Sequence, residues 1–335
     1  MTPRLSVVIP THDTRELTLR CLDSLRAAGL EIEVLLVDDA SRDGTAAAVA
    51  AAHPEVTLLR NNEPAGFTRA ANRGLAAARG GLLLLLNSDT EVDHPGLEAL
   101  LAAFDADPRL GAAGAALHYP DGSAQWSGGR EPTLLWLFGL ASGLPALLAR
   151  LPLYRRLRPP GAVPERGDQV DWVTGAALAV RREAWEAVGP LDEEFRVYAQ
   201  DLDYCLRLGQ AGWDVRLLPG FKVLHHHGAT IGRDPGARRR QHPELLWTDL
   251  LRWAGKHKGE EWTKRAALAF QAGGRLRLLG RALASPLLPP ERRAAWREDG
   301  EPFRRAVRAL TPLPPSPGEG EWGGGRGDGG EGHRR

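Results

Sequence analysis

Cysteine is nearly absent from this chain. Cys21 and Cys205 are the only two in 335 residues, and they lie far apart, each in an apolar helical context. That excludes a disulfide scaffold and a cysteine-based zinc site, and it fits a reduced, cytoplasmic setting. Net charge is also nearly absent, at +1. The opening residues MTPRLSVVIP lack the charged-then-apolar pattern of a secretion signal, and their apolar stretch is short and ends in Pro10. Long apolar runs are scarce too. Residues 132–149, PTLLWLFGLASGLPALLA, are at the lower limit for crossing a bilayer, and Gly139, Gly143 and Pro145 interrupt them. A spanning helix here would also put motifs on its two sides in different compartments. The preferred expectation is a surface loop or short helix dipping into a membrane interface, with Arg150, Arg155, Arg156 and Arg158 against headgroups. The alternative is an apolar lid packed on the core.

The small net charge hides an uneven distribution. Residues 1–232 hold 22 basic and 29 acidic residues, whereas residues 233–310 hold 18 basic and 9 acidic. An acidic front half argues against nucleic acid as the main partner. The basic segment suits an anionic membrane surface or a phosphorylated lipid; a solvated helical face is the equal alternative.

What is present is alternation. LSVVIP (5–10), EVLLVDD (33–39), VTLLRN (56–61) and a run of five leucines (82–86) read as strands. The segments between them read as helices, the first with Leu17, Cys21, Leu22 and Leu25 on one stripe and Gly29 at its end. Strands alternating with helices of this length predict βαβ units and a parallel sheet. An apolar run without alternation predicts a strand buried on both faces. The leucines end abruptly in Asn87, Ser88 and Asp89. In such sheets ligands bind outside the carboxyl ends of the strands, so Asp89 would sit where a hard cation and its phosphates are gripped. The plainer reading is a turn built from turn-forming residues. Two other strands also end in polar groups, Thr11 with Asp13 and Asp38 with Asp39.

The second half is less regular. Residues 170–185 read as a strand or hairpin followed by a short helix. Residues 201–213 read as a helix with Asp201 near its N-cap and Gly212 at its end. Residues 214–228 read as two short strands joined at Pro219 and Gly220, and residues 244–310 as basic amphipathic helices. The Pro- and Gly-rich tail from 311 cannot bury a core and is expected to be disordered.

Seven stretches now suggest a family: SVVIPTHD, VLLVDDASRDGT, NEPAGFTRAANRGL, LLLLLNSDTEV, DWVTGAALAVRREAWEAVGPLDEEF, DLDYCLRLGQAGW and VLHHHGAT. In this order, over roughly residues 5 to 230, the chain resembles the family-two inverting glycosyltransferases of the GT-A fold, in particular the rhamnosyltransferase-like branch. The resemblance implies an α/β fold: a GT-A, Rossmann-like, mostly parallel sheet flanked by helices, with a C-terminal helical extension and the tail. It divides the chain into a nucleotide-sugar half (1–110), an acceptor and catalytic half (111–232), a basic helical segment (233–310) and the tail (311–335). It also implies a donor, a nucleotide-diphosphate sugar with rhamnose as one candidate, and a saccharide or lipid-linked acceptor in cell-envelope polysaccharide synthesis at the inner face of the cytoplasmic membrane.

The resemblance carries residue by residue. Thr11 matches the position after the first strand that contacts the base, with Asp13 in the same turn. Asp38 matches the acid that hydrogen-bonds the pyrimidine, with Asp39 beside it. Asn72 lies in the stretch that approaches the donor. Asp89 matches the metal-binding end of the DXD motif, whose first acid is here Asn87, with Ser88 between. Asp201 matches the catalytic base of the ED motif, whose glutamate is here Gln200. Trp172, Gly175 and Asp203 fall on the acceptor side. His225 matches the histidine that completes the metal shell, with His226 and His227 as neighbours.

The residue types suit that chemistry in their own right. Moving a sugar in one inverting displacement needs a cation on the leaving diphosphate and a base for the attacking hydroxyl. Asp89 suits Mg²⁺ or Mn²⁺, and an imidazole favours Mn²⁺. Asp201 at a helix N-terminus is expected to stay ionised. The alternatives are a plain N-cap for Asp201, a solvated loop for the histidines and a core position for Trp172. Two competing functions are a sugar nucleotidyltransferase, which should carry a Gly- and Arg-rich loop where this chain has PTHDTREL, and a non-catalytic sugar-nucleotide binder.

Overall fold

The computed structural model describes residues 2–148, 169–195, 197–226 and 242–310. Arg150, Arg155, Arg156, Arg158, His227 and the tail from 311, all singled out above, lie outside the described residues. The chain opens as expected: β1 (Leu5–Thr11), α1 (Arg15–Ala28), β2 (Glu33–Asp38), α2 (Thr45–Ala52), β3 (Thr57–Arg60), α3 (Phe67–Ala77) and β4 (Leu82–Leu86). Gly29 ends α1 in the left-handed conformation, with φ 67°. The buried stripe of α1 is Thr18, Cys21, Leu22 and Leu25; Leu17 lies one position off it and is half-buried.

Three elements follow that the sequence reading did not mark: β5 (Thr90–Val92), α4 (His94–Ala106) and β6 (Leu110–His118). Asp93 caps α4 by accepting a hydrogen bond from the Gly96 amide, and proline occupies its first turn, a start signal in plain view. β6 is LGAAGAALH, whose small residues carry no β-propensity. Its glycines serve close approach instead: a Cβ on Gly114 would lie 2.5 Å from Val173 Cβ.

β7 (Gly128–Gly129), α5 (Leu134–Ser142), α6 (Leu144–Leu148), β8 (Trp172–Val173), β9 (Ala177–Arg181), α7 (Arg182–Val188), α8 (Gln200–Gln210) and β10 (Asp214–His225) complete the sheet region. β8 and β9 are not a hairpin, because β8 pairs with β7 and β9 with β4 and β6. β10 is one strand rather than two. Pro219 and Gly220 sit in a register shift between Leu218 and Lys222, and pairing to β6 resumes beyond it.

The eight-stranded sheet has the order β3-β2-β1-β4-β9-β6-β10-β5. β9 and β5 run against the other six, so the sheet is mixed but mostly parallel. β4 lies between β1 and β9, and its side chains alternate between two cores. Leu83 and Leu85 join α3, α8 and the C-terminal helices, while Leu82, Leu84 and Leu86 join α1 and α4. α9 (Pro243–Lys258), α10 (Glu260–Ala284) and α11 (Pro290–Ala309) are thus part of one packed layer, with Trp247 stacked on Phe270 at 5.0 Å. Both cysteines are free and buried, and burial pushes each thiol up to about 12.

α5 answers the question raised by residues 132–149. Its Leu137 and Ala141 are fully buried. Gly273 of α10 comes so close that an added Cβ would lie 2.6 Å from the Phe138 carbonyl oxygen and 2.9 Å from Ala141 Cβ. One side of this helix packs on the core, while Leu135 on the other is 79% exposed. Among the described residues, no helix is long and apolar enough to cross a membrane.

Gly74 marks where α3 meets the sheet: a Cβ there would lie 2.3 Å from Val8 Cγ1 and 2.9 Å from Val37 Cγ2. Gly74→Ala is expected to destabilise the fold by about 1–3 kcal/mol through overpacking. Denaturant titration should show a lower midpoint at unchanged slope.

Candidate active site

The carboxyl ends of β1, β2 and β4 open onto a cleft of about 680 Å³, lined among others by Thr11, Asp39, Asn87, Ser88, Asp89, Trp172, Gly175, Asp201 and His225. Nine of the expected site residues therefore meet in one place. Asp38, Asp13, Asn72 and Asp203 do not line it, and each is held elsewhere.

Asp89 is 1% exposed and His225 5%. His225 Nε2 lies 3.3 Å from Asp89 Oδ1, and its Nδ1 lies 2.9 Å from Gln125 Oε1. The amide Nε2 of Gln125 also donates to the His225 carbonyl at 2.6 Å. With Nδ1–H donating to Gln125, the Nε2 lone pair faces Asp89, as a ligating histidine requires. Backbone bonds fix the same corner. The His226 amide donates to the Asp89 carbonyl at 2.8 Å, and the Asn87 amide to the Ala176 carbonyl at 2.9 Å. His226 itself is turned away, with Nε2 2.7 Å from Glu91 Oε1. Gln125 escaped the sequence reading because it sits in a loop without periodicity; only the finished sheet brings β6 and β10 together around it.

No cluster of three or more His, Cys, Asp or Glu able to hold a metal occurs among the described residues. Asp89 and His225 alone provide one oxygen and one nitrogen ligand. That set fits a cation whose remaining ligands are water and substrate phosphate oxygens. Asn87 Oδ1 and Gln200 Oε1 are buried without a hydrogen-bond partner among the described residues. Both residues line the cleft, where such orphan acceptors fit donors on a ligand.

Thr11 Oγ1 lies 2.8 Å from both Thr14 Oγ1 and Thr18 Oγ1, and Thr14 Oγ1 is 3.0 Å from Ser88 Oγ. This hydroxyl chain ties β1 to the turn after β4. Asp39 accepts from Asn61 Nδ2 at 2.6 Å and from the Ala65 and Gly66 amides at 2.8 Å. Its neighbour Asp38 is fully buried and faces Arg60 Nε at 3.1 Å, because adjacent residues leaving a strand point to opposite sides. Asp13 is held at φ 51° and accepts from the Arg42 amide at 2.6 Å. Asn72 uses its whole amide on the 191–193 segment, donating to the Leu191 carbonyl and Glu193 and accepting from the Leu191 amide. It ties α3 to that segment.

Asp201 and Asp203 share the first turn of α8, but two residues along a helix is a rotation of about 200°. Asp201 faces the cleft. Its Oδ2 accepts from the Gly175 amide at 2.8 Å and its Oδ1 from the Leu202 amide at 2.9 Å. Burial raises its carboxyl above the ordinary aspartate value of 3.8, although both amides pull it down. That upward direction differs from the expectation for a helix N-terminus alone. Asp203 points into the protein, fully buried, against Lys256 Nζ at 2.7 Å, His257 Nε2 at 2.8 Å and Arg207 Nε at 2.9 Å. It locks α8 to α9 and does not line the cleft.

Among the described residues, three non-glycine residues have positive φ: Asp13, Ala40 and Ala199. They follow β1, follow β2 and precede α8, so the strain borders the cleft, where such outliers mark functional sites. The opposite wall is aromatic. Trp172 is 8% exposed and donates to the Arg130 carbonyl at 3.1 Å. Trp126 packs on it edge-to-face at 4.9 Å and lies 5.5 Å from Trp136.

Residues 6–169 match the model of Glycosyl transferase family 2. Over 289 residues, 81% of this chain and 92% of the other, the chain is 33% identical to the N-acetylglucosaminyl-diphospho-decaprenol L-rhamnosyltransferase of Mycobacterium tuberculosis. The chain belongs to glycosyl transferase family 2. This family-two transferase is also similar to the O-antigen biosynthesis protein RfbC of Myxococcus xanthus, at 30% identity over 70% of this chain and 18% of that one. Its fold is GT-A. The mannosyltransferase PcManGT from Pyrobaculum calidifontis, solved with GDP-Man and Mn²⁺, shares it with a TM-score of 0.53, at 19% identity over 93% of this chain and 85% of that one. Family membership sets the nucleotidyltransferase reading aside.

Asp203→Ala in this transferase is expected to cost about 3 kcal/mol, because it removes the buried carboxylate that Arg207, Lys256 and His257 share. Thermal unfolding should show the loss. Binding of a nucleoside diphosphate to the folded fraction should stay at the wild-type level.

Proposed function

We propose that this glycosyltransferase moves a sugar, with L-rhamnose the first candidate, from a nucleoside-diphosphate donor to a hydroxyl of a lipid-linked saccharide, with inversion at the anomeric carbon. The observation that carries the proposal is a single cleft that holds both Asp201, anchored by the Gly175 amide, and the Asp89–His225 pair at 3.3 Å. The mycobacterial relative, by its name a rhamnosyltransferase on a diphospho-decaprenol-linked sugar, favours the same sugar and acceptor class. Residues 1–110 would form the donor half and residues 111–232 the acceptor half. The site would face the inner membrane surface, where a lipid-linked acceptor is held.

The donor's diphosphate is proposed to lie against Asn87, Ser88 and Asp89. Asp89 and His225 would hold a divalent cation, Mg²⁺ or Mn²⁺, which when bound supplies Lewis-acid neutralisation of the leaving diphosphate. Thr11 and Asp39 flank the space left for the nucleoside. The acceptor sugar rests on Trp172, whose ring suits the apolar face of a pyranose. Its hydroxyl oxygen forms a bond to the anomeric carbon while the bond to the diphosphate breaks. The hydroxyl proton passes to the carboxylate of Asp201, which the Gly175 and Leu202 amides hold in place. The raised affinity of Asp201 for a proton makes it a better base than an exposed aspartate.

Asp89→Ala is expected to raise the dissociation constant for a nucleoside diphosphate in Mn²⁺ and to abolish most of the metal response. Calorimetry with and without the cation checks this, and unchanged metal dependence would leave Asp89 a turn residue. Screening hydrolysis of dTDP-, UDP- and GDP-sugars identifies the donor.

Asp201→Asn is expected to lower transfer by roughly 10²-fold or more while donor affinity holds. The acid limb of wild-type kcat/KM against pH should lie above 3.8, since activity is lost as pH falls through the raised value. Near-normal turnover in Asp201→Asn would make this residue a helix cap.

A further inference from the structure

α10 carries a second apolar face that the core does not use. Its buried side is Ala266, Ala267, Phe270, Gln271, Gly273 and Gly274. On the other side Leu268, Leu276, Leu279 and Leu283 are 52%, 40%, 56% and 70% exposed, and Leu287 just beyond the helix is 85% exposed. At about 100° per residue the four helical leucines fall within an arc of roughly 80°. Singly exposed leucines are ordinary, but a contiguous stripe of them is not.

Charge identifies what the stripe suits. From Trp262 to Pro290 there are five cations and no acidic residue. Arg277 and Arg281 are turned inward over the Phe303 ring. Arg265 and Arg275 flank the leucines, are exposed, and have no ion-pair partner among the described residues. Leucines edged by unpaired cations on one side of a helix, with the other side fixed to a core, match the surface of an anionic bilayer. A protein partner for the same face would have to supply acidic groups around an apolar groove; a bilayer supplies both over its whole surface.

We infer that α10 is the membrane-docking element: Leu268, Leu276, Leu279 and Leu283 enter the acyl boundary while Arg265 and Arg275 meet anionic headgroups. This rests on the proposed lipid-linked acceptor for its purpose but not for its physics. It adds a second surface to the membrane contact expected from residues 132–149, whose helix α5 buries Leu137 and Ala141 beside α10 and leaves Leu135 exposed.

The test uses the full chain and sedimentation with vesicles. One set is phosphatidylcholine and phosphatidylglycerol in equal parts, the other phosphatidylcholine alone. Wild type should bind the anionic vesicles more tightly and be released by high salt. Leu279→Gln with Leu283→Gln should weaken binding to both sets by roughly 10²-fold. Arg265→Gln and Arg275→Gln should each remove roughly fivefold, on the anionic vesicles only. All these side chains are exposed, so thermal unfolding should match wild type. Transfer to a soluble acceptor lacking the lipid should be unchanged in the leucine variant. Failure of transfer in both proteins would count against the functional reading and leave the vesicle result standing. Equal vesicle binding by wild type and the leucine variant would overturn the inference. So would a dimer in wild type that the leucine variant dissolves, which would assign the face to a second copy of the chain.

Discussion

A carboxylate that is almost wholly buried needs a cation or hydrogen-bond donors around it, and Asp89 sets that demand at the centre of this molecule. Its position is rigid because β4 is buried on both faces and flanked by β1 and β9. The leucine run and the acidic turn belong to one device. A strand that cannot slip delivers Asn87, Ser88 and Asp89 to the rim in a fixed register. The rest of the cleft is arranged around that point. Gln125 orients His225 toward Asp89, and the Asn87 amide bonds the Ala176 carbonyl next to Gly175, which in turn holds Asp201.

This arrangement gives two aspartates different chemistry. Asp89 sits beside an imidazole that can share a cation with it. Asp201 has only backbone amides around it, so desolvation dominates and its proton affinity rises. The proposed roles, cation ligand for Asp89 and base for Asp201, correspond to these two surroundings. The positive φ of Asp13, Ala40 and Ala199 is the backbone strain tolerated to hold these loops at the rim.

The C-terminal helices serve two surfaces at once. Their inner sides complete the core above α3 and α8, and Lys256 and His257 of α9 pack their side-chain nitrogens against the Asp203 carboxylate. Their outer side presents the leucine stripe of α10. An acceptor on a lipid anchor would need the catalytic cleft and the docking face to belong to one rigid body, and the shared core provides that rigidity.

Much of this was legible in the chain alone. The alternation of elements, the doubly buried leucine strand, the capping of α1 by Gly29 and the convergence of Thr11, the Asp38–Asp39 pair and Asp89 on one rim follow from local periodicity and from where strands end, whereas Asp201 and His225 were reached through the family resemblance. β6 was not legible, because alanine and glycine in a central strand are chosen for close packing against Trp213 and Val173 and have no local signature. Side-chain direction at strand and helix ends also required the fold. Asp38 and Asp39, or Asp201 and Asp203, are equivalent as letters, yet the geometry of strand and helix turns one of each pair into the cleft and the other into Arg60 or Lys256. Gln125 and the outward face of α10 lie furthest from sequence. Their roles depend on neighbours about a hundred residues away or on which side of a helix the core has already taken, and those are properties of tertiary packing alone.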